Sequence, residues 1–358
     1  QHYVSQGGKF DISLQVTIPN EWEKIAPINI GYTAGIESTK ISPEWIEKTK
    51  LMDKIIVVSN HAKYGFDNTV YAATNNATGE TNSDFRNTTP IKVVNYPVRN
   101  FEPAKIDLNL NTNFNFLTVA QWGPRKNLEN TIRWFVEEFV DKPVGLVVKG
   151  FIKNNTTCDR YFANLRLKEM ISEYKNRKCK IYLLHGDMSD QEMTALYQHP
   201  KIKALISLTH GEGYGLPVFE AAYNGLPIMA PEWSGYLDFL YVPVREKKSK
   251  KKSKIRKKMQ PMFGRVTYDL NHIQKNAVWD GVLIKESMWC YPQQGSSKMI
   301  MRDIYTNYDK YEQMAKKLKT HVEKNFQEDK IYDDFIAALS LTDKNEKTIS
   351  SNIEAFAV

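Results

Sequence analysis

From residue 113 onward, short apolar runs alternate with helically spaced apolar stripes, and this alternation constrains the fold more than any other feature of the chain. Strands are expected over residues 114–119, 144–148, 181–184, 204–208 and 226–230, and helices over 161–174, 190–197 and 217–223. Between the first two strands Leu128, Ile132, Phe135, Val136 and Phe139 recur at the period of an α-helix, with Asn127 ahead of them as the expected cap. Strand–helix–strand units with short connections close as right-handed crossovers, so the expected product is a doubly wound parallel sheet in an α/β protein.

The N-terminal third carries the same kind of signal. Ile12, Leu14 and Val16 alternate up to Pro19, and Ser42 with Pro43 reads as the cap and first residue of a helix. The β-branched run 55–58 suits a strand buried on both faces, Ser59 or Asn60 would cap a helix through Tyr64, and 91–94 is another buried strand. The Asn- and Thr-rich stretch 68–89 reads as loop, and 101–112, mixing Pro, Asp and Asn, as a linker. The expected division is a Rossmann-like domain over 1–108, a second over 109–325, and a terminal helix and tail over 326–358. The first domain, opening on Gln1 without a domain-like start, is expected to be incomplete. Tyr308, Tyr311, Ala315, Leu318 and Val322 mark an amphipathic helix, residues 331–339 another, and the tail from Thr342 is polar.

Composition removes several classes. No run approaches the ~18 apolar residues that cross a bilayer, and no signal peptide opens the chain. Cys158, Cys179 and Cys290 are odd in number and lack metal-site spacing, which points to a reducing, cytoplasmic setting. Asn76-Ala77-Thr78 and Asn87-Thr88-Thr89 match the glycosylation acceptor pattern, a chance occurrence in an Asn-rich chain. The net charge of +8 comes from one place: from Arg245 to Lys258 there are ten basic residues and one Glu, so the rest of the 358 residues is near neutral. That run is read first as a solvated insertion, with an anionic membrane surface or a nucleic acid as the partners it would bind. It lacks interleaved aromatics, so it would not read bases.

The chemistry concentrates in His210-Gly211-Glu212-Gly213-Tyr214-Gly215-Leu216-Pro217-Val218-Phe219-Glu220. It follows an expected strand, at the carboxyl edge of a parallel sheet, where such sheets bind ligands. Its three glycines bare the backbone, and Pro217 opens a helix whose free N–H groups and dipole favour phosphate. Glu212 and Glu220, eight residues apart, supply carboxylates that accept hydrogen bonds from sugar or ribose hydroxyls. The pattern suits a ligand with both phosphate and polyol. His210 beside the loop is a candidate sugar contact; His61 reads as a cap or surface residue, Trp45 and Trp233 as packing, and Glu37 has no assigned role. A second anchor is Gln121-Trp122-Gly123-Pro124-Arg125-Lys126-Asn127, where Lys126 at a helix start can neutralise a diphosphate.

Glu212 through Glu220, continuing into Ala221-Ala222-Tyr223-Asn224-Gly225-Leu226-Pro227-Ile228, resembles the E-x7-E signature of retaining GT-B glycosyltransferases, the glycosyl transferases group 1 family. The similarity covers residues 114 to about 235 well and 31–98 more loosely. It implies two Rossmann-like domains facing a cleft, and transfer of a hexosyl or pentosyl group from a nucleotide-diphosphate sugar with retention of configuration. Carried over, Glu212 is the catalytic-centre glutamate beside the donor sugar, Glu220 binds the ribose, and the amides of Gly213, Tyr214, Gly215 and Leu216 hold the diphosphate. The family usually has Arg where this chain has Gln121, with Arg125 as the neighbouring replacement. The N-terminal His and glycine-rich loop of relatives have no counterpart around residues 11–19. No D-x-D triplet occurs, so no metal and no cofactor is expected beyond the donor substrate. Competing readings are a nucleotide-sugar epimerase or phosphorylase on the same scaffold, and a non-catalytic polyanion-binding protein.

Overall fold

The computed structural model describes residues 5–74, 79–245 and 257–340. Residues 246–256 of the basic run, the first glycosylation-type tripeptide and the polar tail lie outside the described residues.

The N-terminal lobe contains β1 (Ile12–Val16), β2 (Ile28–Thr33), α1 (Pro43–Thr49), β3 (Lys54–Val57), α2 (Asn60–Asn68), β4 (Val70–Thr74), β5 (Thr81–Arg86) and β6 (Ile91–Val93). Its sheet is parallel, in the order β1-β2-β3-β6. Both helices start on serine caps: Ser42 Oγ accepts from Trp45 N at 3.2 Å, and Ser59 Oγ from Ala62 N at 3.1 Å. The expected loop 68–89 is a correction, because β4 and β5 pair there as an antiparallel hairpin with a register shift after Tyr71. Its Thr- and Asn-rich, mostly exposed residues give no apolar alternation to read; within β5 only Phe85 is buried.

After residues 94–113, which hold no helix or strand, the C-terminal lobe runs β7 (Phe114–Val119), α3 (Leu128–Phe139), β8 (Val144–Lys149), α4 (Thr157–Met170), β9 (Lys180–Leu184), α5 (Asp190–Tyr197), β10 (Ile202–Ile206), α6 (Leu216–Asn224) and β11 (Ile228–Pro231). The expected helix 161–174 thus begins and ends four residues earlier, because Thr156 caps it, accepting from Asp159 N. Asn127 precedes α3 in left-handed conformation (φ 50°), but its side chain does not cap; it donates to Leu208 O at 3.0 Å.

The chain continues through α7 (Leu237–Leu240), β12 (Tyr241–Arg245), β13 (Lys257–Pro261), β14 (Gly264–Val266), β15 (Tyr268–His272), β16 (Met288–Pro292), α8 (Gln294–Thr306), α9 (Tyr308–Asn325) and α10 (Glu328–Leu339). β12 and β13 pair antiparallel, so the basic run joins the two arms of a hairpin. The large sheet is parallel throughout, in the order β14-β11-β10-β7-β8-β9.

Alternation along the central strands divides the core. Phe116, Leu146 and Val148 face α3 and α4, while Leu117, Val147 and Leu205 join a core that includes Ile30, Ile56 and Val58 of the other lobe. Ile55 and Val57 face the opposite way, toward Trp22, Trp45 and Phe66. The terminal helix returns to the first lobe: Phe335 of α10 meets Tyr32 edge-on at 5.9 Å. The lobes therefore share apolar packing behind the cleft.

Phe219 of α6 sits at this junction, with ring contacts to Tyr214 at 5.3 Å, Phe239 at 4.9 Å and Phe326 at 5.6 Å. Its truncation leaves a cavity under the helix that carries the site. Phe219→Ala should cost about 3–5 kcal/mol, read as a lower midpoint in urea denaturation.

Candidate functional site

β7 ends in a 3-10 turn, Pro124–Lys126, which presents two cations in succession. β10 ends at Ile206, in the loop that leads to Glu212, and the two loops meet. Lys126 Nζ donates to Glu212 Oε1 at 2.5 Å, and Arg125 Nη1 to Glu212 Oε2 at 3.0 Å and Gly211 O at 2.7 Å. The first lobe adds Glu37, from the loop after β2, with Oε1 3.4 Å from Arg125 Nη1. Burial alone would favour a neutral Glu212, but Lys126 and Arg125 overcome it and hold its carboxyl below the usual range. Glu37 goes the other way: burial raises it, Arg125 opposes and Glu212 adds to the rise.

The backbone around this cluster is packed too closely for side chains. A Cβ on Gly211 would lie 2.3 Å from Glu37 O, and one on Gly213 2.6 Å from Ala34 O. Ser59 Oγ donates to Gly213 O at 2.5 Å, so the α2 cap also joins the lobes. Glu212 N donates to Ser234 Oγ at 2.9 Å, and Ser234 holds a strained positive φ of 130°. The glycines thus serve lobe packing as well as the bare backbone expected of them.

Gly215, at φ 90°, turns the chain into α6. Leu216, not Pro217, is the first helical residue, because the left-handed turn falls one position earlier than the proline suggests. Among the described residues the N–H groups of Gly213, Tyr214, Gly215 and Leu216 have no acceptor, and the Leu216 side chain is 47% exposed. This open helix start borders a cavity of 270 Å³ lined by Tyr96, Arg99, Asp190, Tyr197, Leu216 and Glu220, among others. Tyr197 donates to Glu220 Oε2 at 2.8 Å. Burial raises the Glu220 carboxyl above its ordinary value; Tyr197 opposes this, and Asp190 adds to it.

Of the residues singled out from sequence, Arg125, Lys126 and Glu212 form one cluster, while Leu216 and Glu220 line the cavity at the start of α6, which the cluster residues do not line. Tyr214 contributes its backbone only, since its ring packs in the core against Phe219 and Phe239. The side chains of two are not brought to the cluster or cavity, although His210 N donates to Arg125 O at 2.8 Å. Gln121 donates to Ile152 O at 3.2 Å, and His210 is buried, stacked on Trp289 at 5.0 Å with Nδ1 donating to Cys290 O at 2.6 Å. β16 draws the His210 ring away, an effect of a strand 80 residues downstream that no local pattern announces. Glu37, Ser59 and Tyr197 belong to the site and were not assigned to it. Their only local signals were the serine cap and an acid in a glycine loop.

No protein-family model and no curated protein matches the sequence. The backbone is similar to solved structures. Sucrose-phosphate synthase from Thermosynechococcus elongatus matches with TM-score 0.59 and 12% identity, over 94% of this chain and 76% of that one. A Rickettsia africae glycosyltransferase gives 0.56 and 13%, over 95% and 78%. Anabaena HepE, solved with UDP and glucose, gives 0.55 and 13%, over 87% and 71%. The fold is GT-B. At such identities a GT-B likeness speaks for the backbone, and the chemistry must come from the residues.

The glycine packing is directly testable. Gly213→Ala forces a methyl group against Ala34 O and should cost about 1–3 kcal/mol of stability, measured by urea unfolding. An unchanged midpoint would show that the loops separate freely.

Proposed function

We propose that the protein is a retaining glycosyltransferase that moves a hexosyl or pentosyl group from a nucleotide-diphosphate sugar to an acceptor hydroxyl on a glycan or lipid. The observation that carries this reading is the Lys126–Glu212–Arg125 cluster set beside the open start of α6 and the Glu220 cavity. Together they offer one site each for sugar, diphosphate and ribose.

In this reading the diphosphate lies against Lys126, Arg125 and the amides of Gly213 to Leu216. These groups stabilise the charge that grows on it as the bond to the anomeric carbon breaks. The charge then falls on side chains and backbone donors instead of a metal ion. Glu212 stays ionised beside the sugar, where negative charge favours an oxocarbenium-like centre. Glu220 uses the oxygen not held by Tyr197 to accept from the ribose hydroxyls. The acceptor oxygen bonds to the anomeric carbon on the face the diphosphate leaves, and its proton passes to the departing phosphate.

The enzyme would work in the cytoplasm, which suits three unpaired cysteines. Among the described residues no helix is long and apolar enough to cross a membrane. The basic run between β12 and β13 would bring it to an anionic surface.

A thermal-shift screen of nucleotide diphosphates tests the donor site, since a ligand at 100 times its dissociation constant stabilises by about 2.7 kcal/mol. Lys126→Ala should abolish most of that shift and lower turnover by about 10²–10³-fold. Glu220→Gln should weaken nucleotide binding and leave turnover of bound donor closer to normal. Proton NMR of the product reads the anomeric configuration; an inverted product or an epimerised nucleotide sugar would overturn the assignment.

A further inference from the structure

The cluster holds four charged groups, and the transfer chemistry above uses only three of them. Glu37, from the first lobe, faces Arg125 and Lys126 from the turn after β7 and Glu212 from the loop before α6. With two acids and two bases the cluster is balanced in the donor-free protein. A nucleotide sugar carries a diphosphate diester that stays fully ionised across the neutral range, so its arrival upsets this balance.

The geometry decides which group yields. Glu212 is held by both cations, one on each oxygen. Glu37 has one ion-pair partner, Arg125, at the longer distance of 3.4 Å, and its side chain is three-quarters buried, 24% exposed. A Cβ on Gly211 would lie 2.3 Å from the Glu37 carbonyl oxygen and 2.9 Å from its Cβ, so the root of the side chain is packed against that loop. A carboxylate that loses its cation in such a place is costly to keep ionised, and it takes a proton instead. Burial already lifts Glu37 above the ordinary carboxylate range.

Resting on the donor reading above, we propose that Glu37 takes up one proton from solvent when the donor diphosphate claims Arg125. The neutral carboxyl then remains in the cleft as a hydrogen-bond donor from the first lobe. Glu37 is in this sense a positioning residue: it parks Arg125 while the site is empty and releases it on loading.

The experiment is isothermal titration calorimetry in buffers of different ionisation enthalpy. The probe is whichever of UDP-, GDP- or ADP-glucose stabilises the wild-type protein in the thermal screen. Wild-type binding should consume a fraction of a proton per donor, and its affinity should rise as pH falls, by at most about tenfold per pH unit for one proton. Glu37→Gln, which keeps the shape and removes the charge, should bind without proton uptake. It should bind several-fold tighter than wild type at alkaline pH and equally at acid pH. Donor binding by the wild type with no proton uptake at any pH, or uptake that persists in Glu37→Gln, would overturn the inference and leave the donor site intact. If none of the three nucleotide sugars binds the wild type, the donor reading fails and this inference with it.

Discussion

A carboxylate as withdrawn from water as Glu212 stays ionised only where cations stand against it, and here two do. Breaking a buried pair by removing one partner costs far more than the pair contributes as a whole, so Lys126, Arg125 and Glu212 act as a unit. That unit ties the loop after β7 to the loop before α6, and through Glu37 it reaches the other lobe. Its distances hold only because the backbones approach closely. A Cβ on Gly235 would fall 1.9 Å from Gly213 O, so a third segment is threaded against the same loop. The electrostatics of the cleft therefore rest on a steric fact, the missing side chains at Gly211, Gly213 and Gly235.

How much of this the chain announces depends on how local each cause is. β7 at Phe114–Val119 and α5 at Asp190–Tyr197 match the sequence reading residue for residue. The first is marked by Phe114, Phe116, Leu117 and Val119, with Asn115 to Thr118 all buried, and the second starts with a capping box between Ser189 and Glu192. The strands expected over 204–208 and 226–230 lie at Ile202–Ile206 and Ile228–Pro231. Apolar residues continue past β10 into the loop and precede β11 from the Gly225 turn, so hydrophobicity alone does not mark the ends. Between Leu237 and Thr306 the described residues hold two antiparallel strand pairs, the edge strand β14 and two α-helices, α7 and α8, that no periodicity reveals. These strands are short and pair with each other or at the sheet edge, where the solvent face need not be apolar.

The site divides along the same line. The open helix start and the place of Glu220 in the first turns of α6 follow from neighbours in sequence, and they are legible there. Glu37, Ser59 and Tyr197 come to the cleft by packing between elements far apart in the chain, and so does the removal of His210 onto Trp289. In an acid such as Glu37 the identity of the side chain is readable, but its partner 88 residues away is not.

Arg125 and Lys126 are neighbours in sequence, and the fold turns both onto one acid. The Gln121 side chain turns away from the cluster and donates to Ile152 O. Arg125 stands next to Lys126 inside a 3-10 turn closed by hydrogen bonds from Lys126 N to Gly123 O and from Asn127 N to Pro124 O, both 3.2 Å. Neighbouring residues in such a turn point in different directions, so two cations there do not converge on one atom. They converge on one residue because Glu212 spans them with its two oxygens. The acid thus fixes both cations before any ligand arrives, which places positive charge where a diphosphate would need it without reorganisation at the moment of reaction.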